Sequence, residues 1–509
     1  MRNAHRPVTA LAALIALWPM SLSPRVLADE TALPAKINVL FIAVDDLNDW
    51  VGCLKGHPQA QTPNMDRLAK RGILFNNAHC TSPACNPSRA AVFSGKMPWK
   101  TGVWSNQSKK LLQQHPEMQV LPRAFGRAGY STLGTGKLMH SSAQANRLMF
   151  DEHFHVEQRW SPFTRDAVEY TEDELPSKKT SNPRHEVHAT GLEPVRLPLN
   201  RMPSDRKPDS AAGESFDWGP LDVPDSSMGD TRITNWAIEK LKTKRDQPIF
   251  MGVGFYRPHI PLWAPKAYFD RFKGQEIQLP PYLESDLSDL GPSGQRWATE
   301  AVTAGLHSTV VKFDQWQEAV KSYLACTTYV DFQIGRLLDA LDNGPYAKNT
   351  VVVLWSDHGW HLGEKQHWGK WTPWERSTRV VLMVVPPRNM AGRFTKLGQG
   401  CHQPVSLLDL YPTLTELCDV PAPKQLEGKS LIPLLQDPQR STGRVVLTSF
   451  DRGNVSLRSD RWRYIRYDDR TEELYDMHND PNEWTNLAGE SGREALLRQF
   501  RQQIPLDAL

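Results

Sequence analysis

The chain has 509 residues, 39% of them hydrophobic and 23% charged, with a formal net charge of +3. That length suffices for one large catalytic domain and a smaller one. So slight a positive balance gives no argument for nucleic acid as a partner, and no RNA- or DNA-reading motif is present.

In chain order, residues 1–28 have the pattern of a signal peptide. Arg2, His5 and Arg6 make a basic start, residues 8–18 are an apolar run too short for an ordinary membrane span, and Val26-Leu27-Ala28 is a small-residue cleavage site. The alternative is a disordered tail or an uncleaved anchor. The pattern predicts a periplasmic or secreted protein, and no later stretch predicts a stable membrane span. Export permits disulfides. Of the six cysteines, Cys401 and Cys418 are a candidate bridge that the sequence alone does not establish.

Apolar, β-branched runs at 37–44, 249–254, 350–355 and 379–385 predict buried strands of a parallel sheet. Helical patterns fall between them at 64–71, 232–242 and 329–341. This alternation predicts an α/β layered fold, with a catalytic domain over 29–439. Residues 155–225, rich in Pro, Ser and charge with little periodicity, predict a long surface insertion, either disordered or shaping a substrate entrance. Short runs at 444–450, 455–458, 462–467 and 473–475 predict a small antiparallel C-terminal subdomain over 440–509.

In open α/β sheets, ligands sit beyond the carboxyl ends of the strands. Asp45 and Asp46 follow the first predicted strand, Tyr256 to His259 the second, and Asp357 and His358 the third. Carboxylates and imidazoles are thus predicted to converge on one edge. The adjacent carboxylates of Asp45 and Asp46 repel unless a hard divalent cation holds them; a solvated turn is the other reading. In Cys85-Asn86-Pro87-Ser88-Arg89, Pro87 suits a first helical turn. Cys85 then sits at a helix N-terminus that favours an anion, with Arg89 one turn further in. The competing readings are a structural cysteine, a disulfide with Cys80, or a zinc site with His79 and Cys80, which lacks paired-ligand spacing. Lys137 and His140, spaced i, i+3, can share one face of a turn. Pro258 and Pro261 stiffen the loop around His259.

Cys-x-Pro-Ser-Arg at 85–89 resembles the signature of type I, formylglycine-dependent sulfatases, and Ser94-Gly95-Lys96 stands where that motif continues. Gly136-Lys137-Leu138-Met139-His140, Gly254-Phe255-Tyr256-Arg257-Pro258-His259-Ile260-Pro261 and Ser356-Asp357-His358-Gly359-Trp360 are similar to the iduronate-2-sulfatase-like group. Leu408-Asp409-Leu410-Tyr411-Pro412-Thr413 and Leu474-Tyr475-Asp476 help carry the likeness from Ile37 to Leu487.

The resemblance implies an alkaline-phosphatase-like α/β fold: a large, mostly parallel sheet flanked by helices, with a small C-terminal antiparallel sheet. It implies that a formylglycine-generating enzyme oxidises Cys85 to formylglycine. Asp45, Asp46, Cys85 in its oxidised form, Asp357 and His358 are then expected to bind Ca²⁺, with Mg²⁺ as the runner-up. Arg89, Lys137 and Lys370 are expected to hold sulfate, with Lys365 competing for the Lys370 assignment. His140 is expected to help deprotonate the aldehyde hydrate, which attacks sulfur, and His259 or Lys370 to protonate the leaving alcohol. The second hydroxyl of the hydrate then collapses to the aldehyde and expels sulfate. His361 and His367 belong either to the pocket rim or to the scaffold. The implied substrate is a sulfated carbohydrate, with a 2-O-sulfated uronate leading. A formylglycine-dependent phosphodiesterase or phosphonate ester hydrolase is the nearest rival, and a non-catalytic exported carbohydrate-binding protein the second.

Overall fold

Seven consecutive buried residues, Asn38–Val44, form strand β1 in an eight-stranded sheet. The computed structural model describes residues 1, 36–140, 148–155, 159–163, 185–187, 195–206 and 215–509. After β1 come α1 (Pro63–Ala69), β2 (Ile73–Phe75), α2 (Cys85–Ser94), β3 (Ser131–Gly136), β4 (Glu152–Phe154) and α3 (Gly229–Lys242). Then follow β5 (Ile249–Phe255), α4 (Trp316–Asp342), β6 (Thr350–Ser356), β7 (Leu382–Val385) and β8 (Gly400–Cys401). The spatial order is β8-β2-β7-β6-β1-β5-β3-β4.

Every residue of β1, β5 and β6 is buried, which is why their sequences read as unbroken apolar runs. Alternate residues of β1 serve opposite layers. Phe41 and Ala43 pack with Ala90, Val92 and Phe93 of α2. Leu40 and Ile42 pack with Leu68 of α1, Ile233 of α3 and Ile334 of α4. Val44 pairs in parallel with both Ser356 and Phe255, so β6, β1 and β5 end level.

The structure departs from the sequence expectations in five places. The segment 379–385, expected to run parallel, contributes β7 only from Leu382, and β7 is antiparallel to both β6 and β2; an apolar run carries no direction. β3 was not expected, because Ser131-Thr132-Leu133-Gly134-Thr135-Gly136 has one large apolar side chain. Its glycines serve close approach: a Cβ on Gly136 (φ 70°) would lie 2.0 Å from the Gly254 carbonyl oxygen. The helix expected at 329–341 begins already at Trp316. In the segment 155–225, expected on the surface, Trp160, Phe163, Leu197, Met202, Phe216, Trp218 and Leu221 are buried in one cluster with Trp263. Trp218–Leu221 also pairs in parallel with Leu262–Pro265. Scattered aromatics without a period gave no sign of this core. Residues 156–158, 164–184, 188–194 and 207–214 of that segment, and residues 2–28, lie outside the described ones. Finally, all six cysteines are free, so Cys401 and Cys418 do not bridge; both are buried as small apolar side chains in the core.

The C-terminal strands β9 (Val446–Ser449), β10 (Val455–Arg458), β11 (Trp462–Arg466) and β12 (Glu472–Asp476) form an antiparallel meander. Leu497 and Phe500 of α5 (Glu494–Arg501) cover one face. Ile465, Tyr467 and Tyr475 meet Trp297, Trp371 and Trp374 on the other. Among the described residues, no helix is long and apolar enough to cross a membrane.

Candidate active site

Four neighbouring strands, in the order β6, β1, β5, β3, release their polar residues at the same sheet edge. Asp357 and His358 leave β6, Asp45 and Asp46 leave β1, His259 lies in the loop after β5, and Lys137 follows β3. The close approach of Gly136 to Gly254 seats Lys137, whose N–H donates to the Gly254 carbonyl at 2.9 Å. Helix α2 brings Cys85 to this edge from one side. The Asn86 side chain fixes its first turn by donating to the carbonyls of Ser105 (2.9 Å) and Ser108 (3.2 Å).

Cys85 Sγ is fully buried and lies at the centre. It is 3.0 Å from Lys370 Nζ, 3.7 Å from Lys137 Nζ, 3.4 Å from His358 Nε2, 3.5 Å from Asp45 Oδ1 and 3.9 Å from Asp46 Oδ1. Lys370 Nζ also reaches Asp46 Oδ1 at 2.7 Å, and Lys137 Nζ pairs with Asp45. His259 Nδ1 donates to the Ile260 carbonyl, which turns Nε2 towards Asp46 Oδ2 at 3.8 Å. His140 is close enough for Lys137 and Lys370 to act on its charge, and its Nδ1 is buried without a hydrogen-bond partner.

Arg89 reaches the carboxylates of the expected cation site. Its Nε donates to Asp357 Oδ2 (2.7 Å), its Nη2 to Asp45 Oδ1 (3.1 Å), and its Nη1 to the carbonyls of Lys137 and Leu138. The guanidinium is fully buried, and these contacts hold the two carboxylates in place. Of the two candidate lysines, Lys370 lies beside Cys85 and Lys365 does not. Lys365 Nζ is buried against Asp286 Oδ1 (2.8 Å) and the Glu483 carbonyl, between the rings of Trp374 and Tyr475. His361 bonds the Glu364 carbonyl and Thr372, and His367 the carbonyls of Ala298 and Lys370, so both are scaffold. His79 is occupied by Asn77, and neither it nor Cys80 joins a ligand cluster among the described residues.

Two overlapping sets bring ligand atoms within 4.8 Å of one another: Asp45, Asp46, Cys85 and His259; and Asp45, Cys85, Asp357 and His358. Burial pushes the Asp46 carboxyl up to about 7, against Lys370 and with the repulsion of Asp45 and Cys85. Its Oδ2 has no hydrogen-bond partner. A buried carboxylate with an orphaned oxygen is poorly stabilised without a cation. Burial also opposes charge on Asp45 and Asp357, but Lys137 holds the first below the usual carboxylate range and Arg89 the second well below it. Burial works against a charged His358 too, yet Asp357 holds its pKa up to about 9. Three carboxylates and one imidazole suit a hard divalent cation with an added nitrogen ligand. Burial and then Lys137 keep His259 well below its ordinary value, and burial with Lys137, Lys110 and Lys370 lowers His140 to about 2. Burial and the neighbouring lysines thus favour the neutral form of both imidazoles.

Sequence reasoning did not single out the supports of these groups. The Asp230 carboxylate accepts from the N–H groups of Tyr256 (2.9 Å) and Arg257 (3.0 Å) and so shapes the His259 loop. The Tyr323 hydroxyl and the Asn48 side chain hold the turn after Asp46. An aspartate in a first helical turn and a tyrosine within a long helix carry no mark of these tasks.

The family model described as Sulfatase matches residues 37–420, and that described as N-sulphoglucosamine sulphohydrolase, C-terminal, matches residues 363–507. A sulfatase of Formosa agariphila is 34% identical over 475 residues, covering 92% of this chain and 86% of the relative. Human iduronate 2-sulfatase is 29% identical over 441 residues, covering 78% of this chain and 73% of that protein. Among solved structures, a phosphonate monoester hydrolase from Silicibacter pomeroyi superposes with a TM-score of 0.71 at 20% identity, covering 92% of this chain and 94% of the other, which shows a shared alkaline-phosphatase-like fold. With a family model spanning most of its length and a relative aligned over nearly all of it, this chain belongs to the sulfatase family and is a sulfuric ester hydrolase.

Proposed function

We propose that the protein is an exported sulfatase acting on sulfated sugars, with a 2-O-sulfated uronate as the leading substrate. Its nucleophile is Cys85 after oxidation to formylglycine by a maturation enzyme. The observation that carries this reading is Cys85 Sγ, buried at the start of α2 between Lys370 Nζ and a three-carboxylate cluster. The substrate class rests on the segments around Lys137, His259 and Asp357 and on the 29% identity to iduronate 2-sulfatase. Export rests on the signal-like pattern of residues 1–28.

Hydrated formylglycine supplies the attacking oxygen at the position marked by Cys85 Sγ. Asp45, Asp46, Asp357 and His358 would hold Ca²⁺, with Mg²⁺ as the alternative. When bound, that cation would supply Lewis-acid stabilisation of developing negative charge. Lys137 and Lys370, at 3.7 and 3.0 Å from Sγ, flank the reacting centre and offset charge that develops on the sulfate oxygens. Arg89 locks Asp45 and Asp357 in place. The neutral His140 takes the proton from the attacking hydroxyl. A bound sulfate ester adds negative charge beside His259. The Ile260 carbonyl on Nδ1 then favours the imidazolium, and Nε2–H gives its proton to the leaving alcohol.

The test is a substrate panel on enzyme produced with a formylglycine-generating enzyme and Ca²⁺. It compares a 2-O-sulfated uronate disaccharide, other sulfated sugars, an aryl sulfate and a phosphonate ester. The reading expects the highest kcat/KM on a sulfated sugar. Preference for the phosphonate ester would overturn it.

A further inference from the structure

Asp46 adopts a left-handed backbone conformation, with φ 57°. That is uncommon for a residue other than glycine and persists where the surroundings over-determine it. In an extended chain, neighbouring side chains point to opposite faces, so Asp45 and Asp46 would diverge. Here both carboxylates turn to one point: Asp45 Oδ1 lies 3.5 Å and Asp46 Oδ1 3.9 Å from Cys85 Sγ.

One side chain of α4 holds this turn from behind. The Tyr323 hydroxyl, fully buried, donates to the Asp46 carbonyl at 2.7 Å and accepts from the Asn48 N–H at 2.8 Å. Asn48 carries the brace further: its Nδ2 donates to the Trp360 carbonyl at 3.0 Å, and its Oδ1 accepts from the Trp50 N–H at 2.9 Å. Trp50 packs edge-on against the Tyr323 ring, with centroids 5.6 Å apart. Trp360 follows the Asp357-His358 pair, and its ring lies 5.5 Å from Lys370 Nζ. The brace therefore joins the β1 turn, the β6 turn and the Lys370 segment without touching Cys85.

We propose that Tyr323 and Asn48 preset the left-handed turn that aims Asp45 and Asp46 at a single divalent cation, which makes Tyr323 a positioning residue for the metal site. This rests on the reading that the carboxylate cluster binds such a cation.

The test is calorimetric titration of Ca²⁺ into chelator-treated full-length protein, with no substrate present. Tyr323→Phe is expected to weaken Ca²⁺ binding by about tenfold or more, the scale on which outer-shell changes act. Tyr411→Phe is the control. It removes another buried phenol–carbonyl bond, to Gln119 at 2.8 Å, and is expected to leave the affinity unchanged. Asn48→Ala is expected to weaken binding in the same direction, and it carries the test if Tyr323→Phe does not fold. Ca²⁺ affinity in Tyr323→Phe or Asn48→Ala equal to that of the unaltered chain would overturn the brace. So would an equal loss in Tyr411→Phe. An unaltered chain that binds neither Ca²⁺ nor Mg²⁺ would remove the metal reading itself, and the inference with it.

Discussion

Lys370 Nζ lies 3.0 Å from Cys85 Sγ, while Lys365, a short turn earlier in the chain, faces Asp286 and Glu483. The segment 363–369 is sharply bent, with positive φ at Gly363, Lys365, Gln366 and Gly369. It therefore sends two chemically identical side chains to different tasks. Lys370→Met is expected to lower kcat/KM for sulfate esters by about 10²–10³-fold, as loss of one electrostatic stabiliser does. Lys365→Met leaves Asp286 buried without its partner and is expected to destabilise the fold by about 3–5 kcal/mol. Its folded fraction should keep a near-normal kcat. Steady-state kinetics and urea unfolding on both variants separate the roles; a catalytic collapse confined to Lys365→Met would reverse the assignment.

Arg89 spans Asp45, Asp357 and two carbonyls with one planar group. A lysine ammonium cannot bridge the same partners. Arg89→Lys is accordingly expected to lose about 3 kcal/mol of stability as a buried charge network loses a partner. It should also show a smaller Ca²⁺-induced rise in Tm. Unchanged unfolding and an unchanged Ca²⁺ response would contradict the positioning role.

The proton-donor role proposed for His259 would matter most when the leaving group is a poor one. His259→Gln is expected to lower kcat/KM by about 10²–10⁴-fold on a sugar sulfate, the usual range for general acid catalysis. The loss should be much smaller on an aryl sulfate, whose phenolate leaves without a proton. Equal losses on both substrates would move the proton donor to another group, with Lys370 the first candidate.

Glu375 ties the catalytic body to the C-terminal sheet through Arg458 (3.3 Å) and Arg463. Burial opposes its charge, yet Arg458 and Arg463 hold its pKa well below 4.5. The folded state therefore binds fewer protons than the unfolded chain below 4.5, and stability falls as pH drops. The contribution is complete above 4.5 and is lost as pH falls through the depressed folded value. Glu375→Gln removes this term. The difference in unfolding free energy between the unaltered protein and the variant should be largest at neutral pH and shrink on acidification. A difference that stays constant down the pH series would rule out this linkage.

Much of the site was legible in the sequence because it hangs on residues that follow apolar runs. Asp45, Asp46, Asp357 and His358 stand directly after β1 and β6, so strand recognition alone predicted their meeting. Lys137 was placed by its motif rather than by its strand, since the glycines and hydroxyl residues of β3 hide a buried strand. That the donors of Arg89 go to Asp45, Asp357 and two carbonyls is something a sequence cannot show. The supports were not legible. Tyr323 looks like any other residue of a long amphipathic helix, and only the tertiary packing of α4 on the β1 turn gives its hydroxyl a task. The buried aromatics between 155 and 225 were missed for a related reason. Apart from Trp218, on a four-residue strand, they pack through irregular backbone, which leaves no period to read.

The central claim is sulfate ester hydrolysis through an oxidised Cys85. The most direct measurement is sulfate release from a 2-O-sulfated uronate disaccharide by enzyme whose Cys85 peptide has been shown by mass to carry formylglycine, beside Cys85→Ala. The account predicts steady sulfate release by the first and none by the second. No release from formylglycine-bearing enzyme on any sulfated sugar, or equal release by Cys85→Ala, would contradict it.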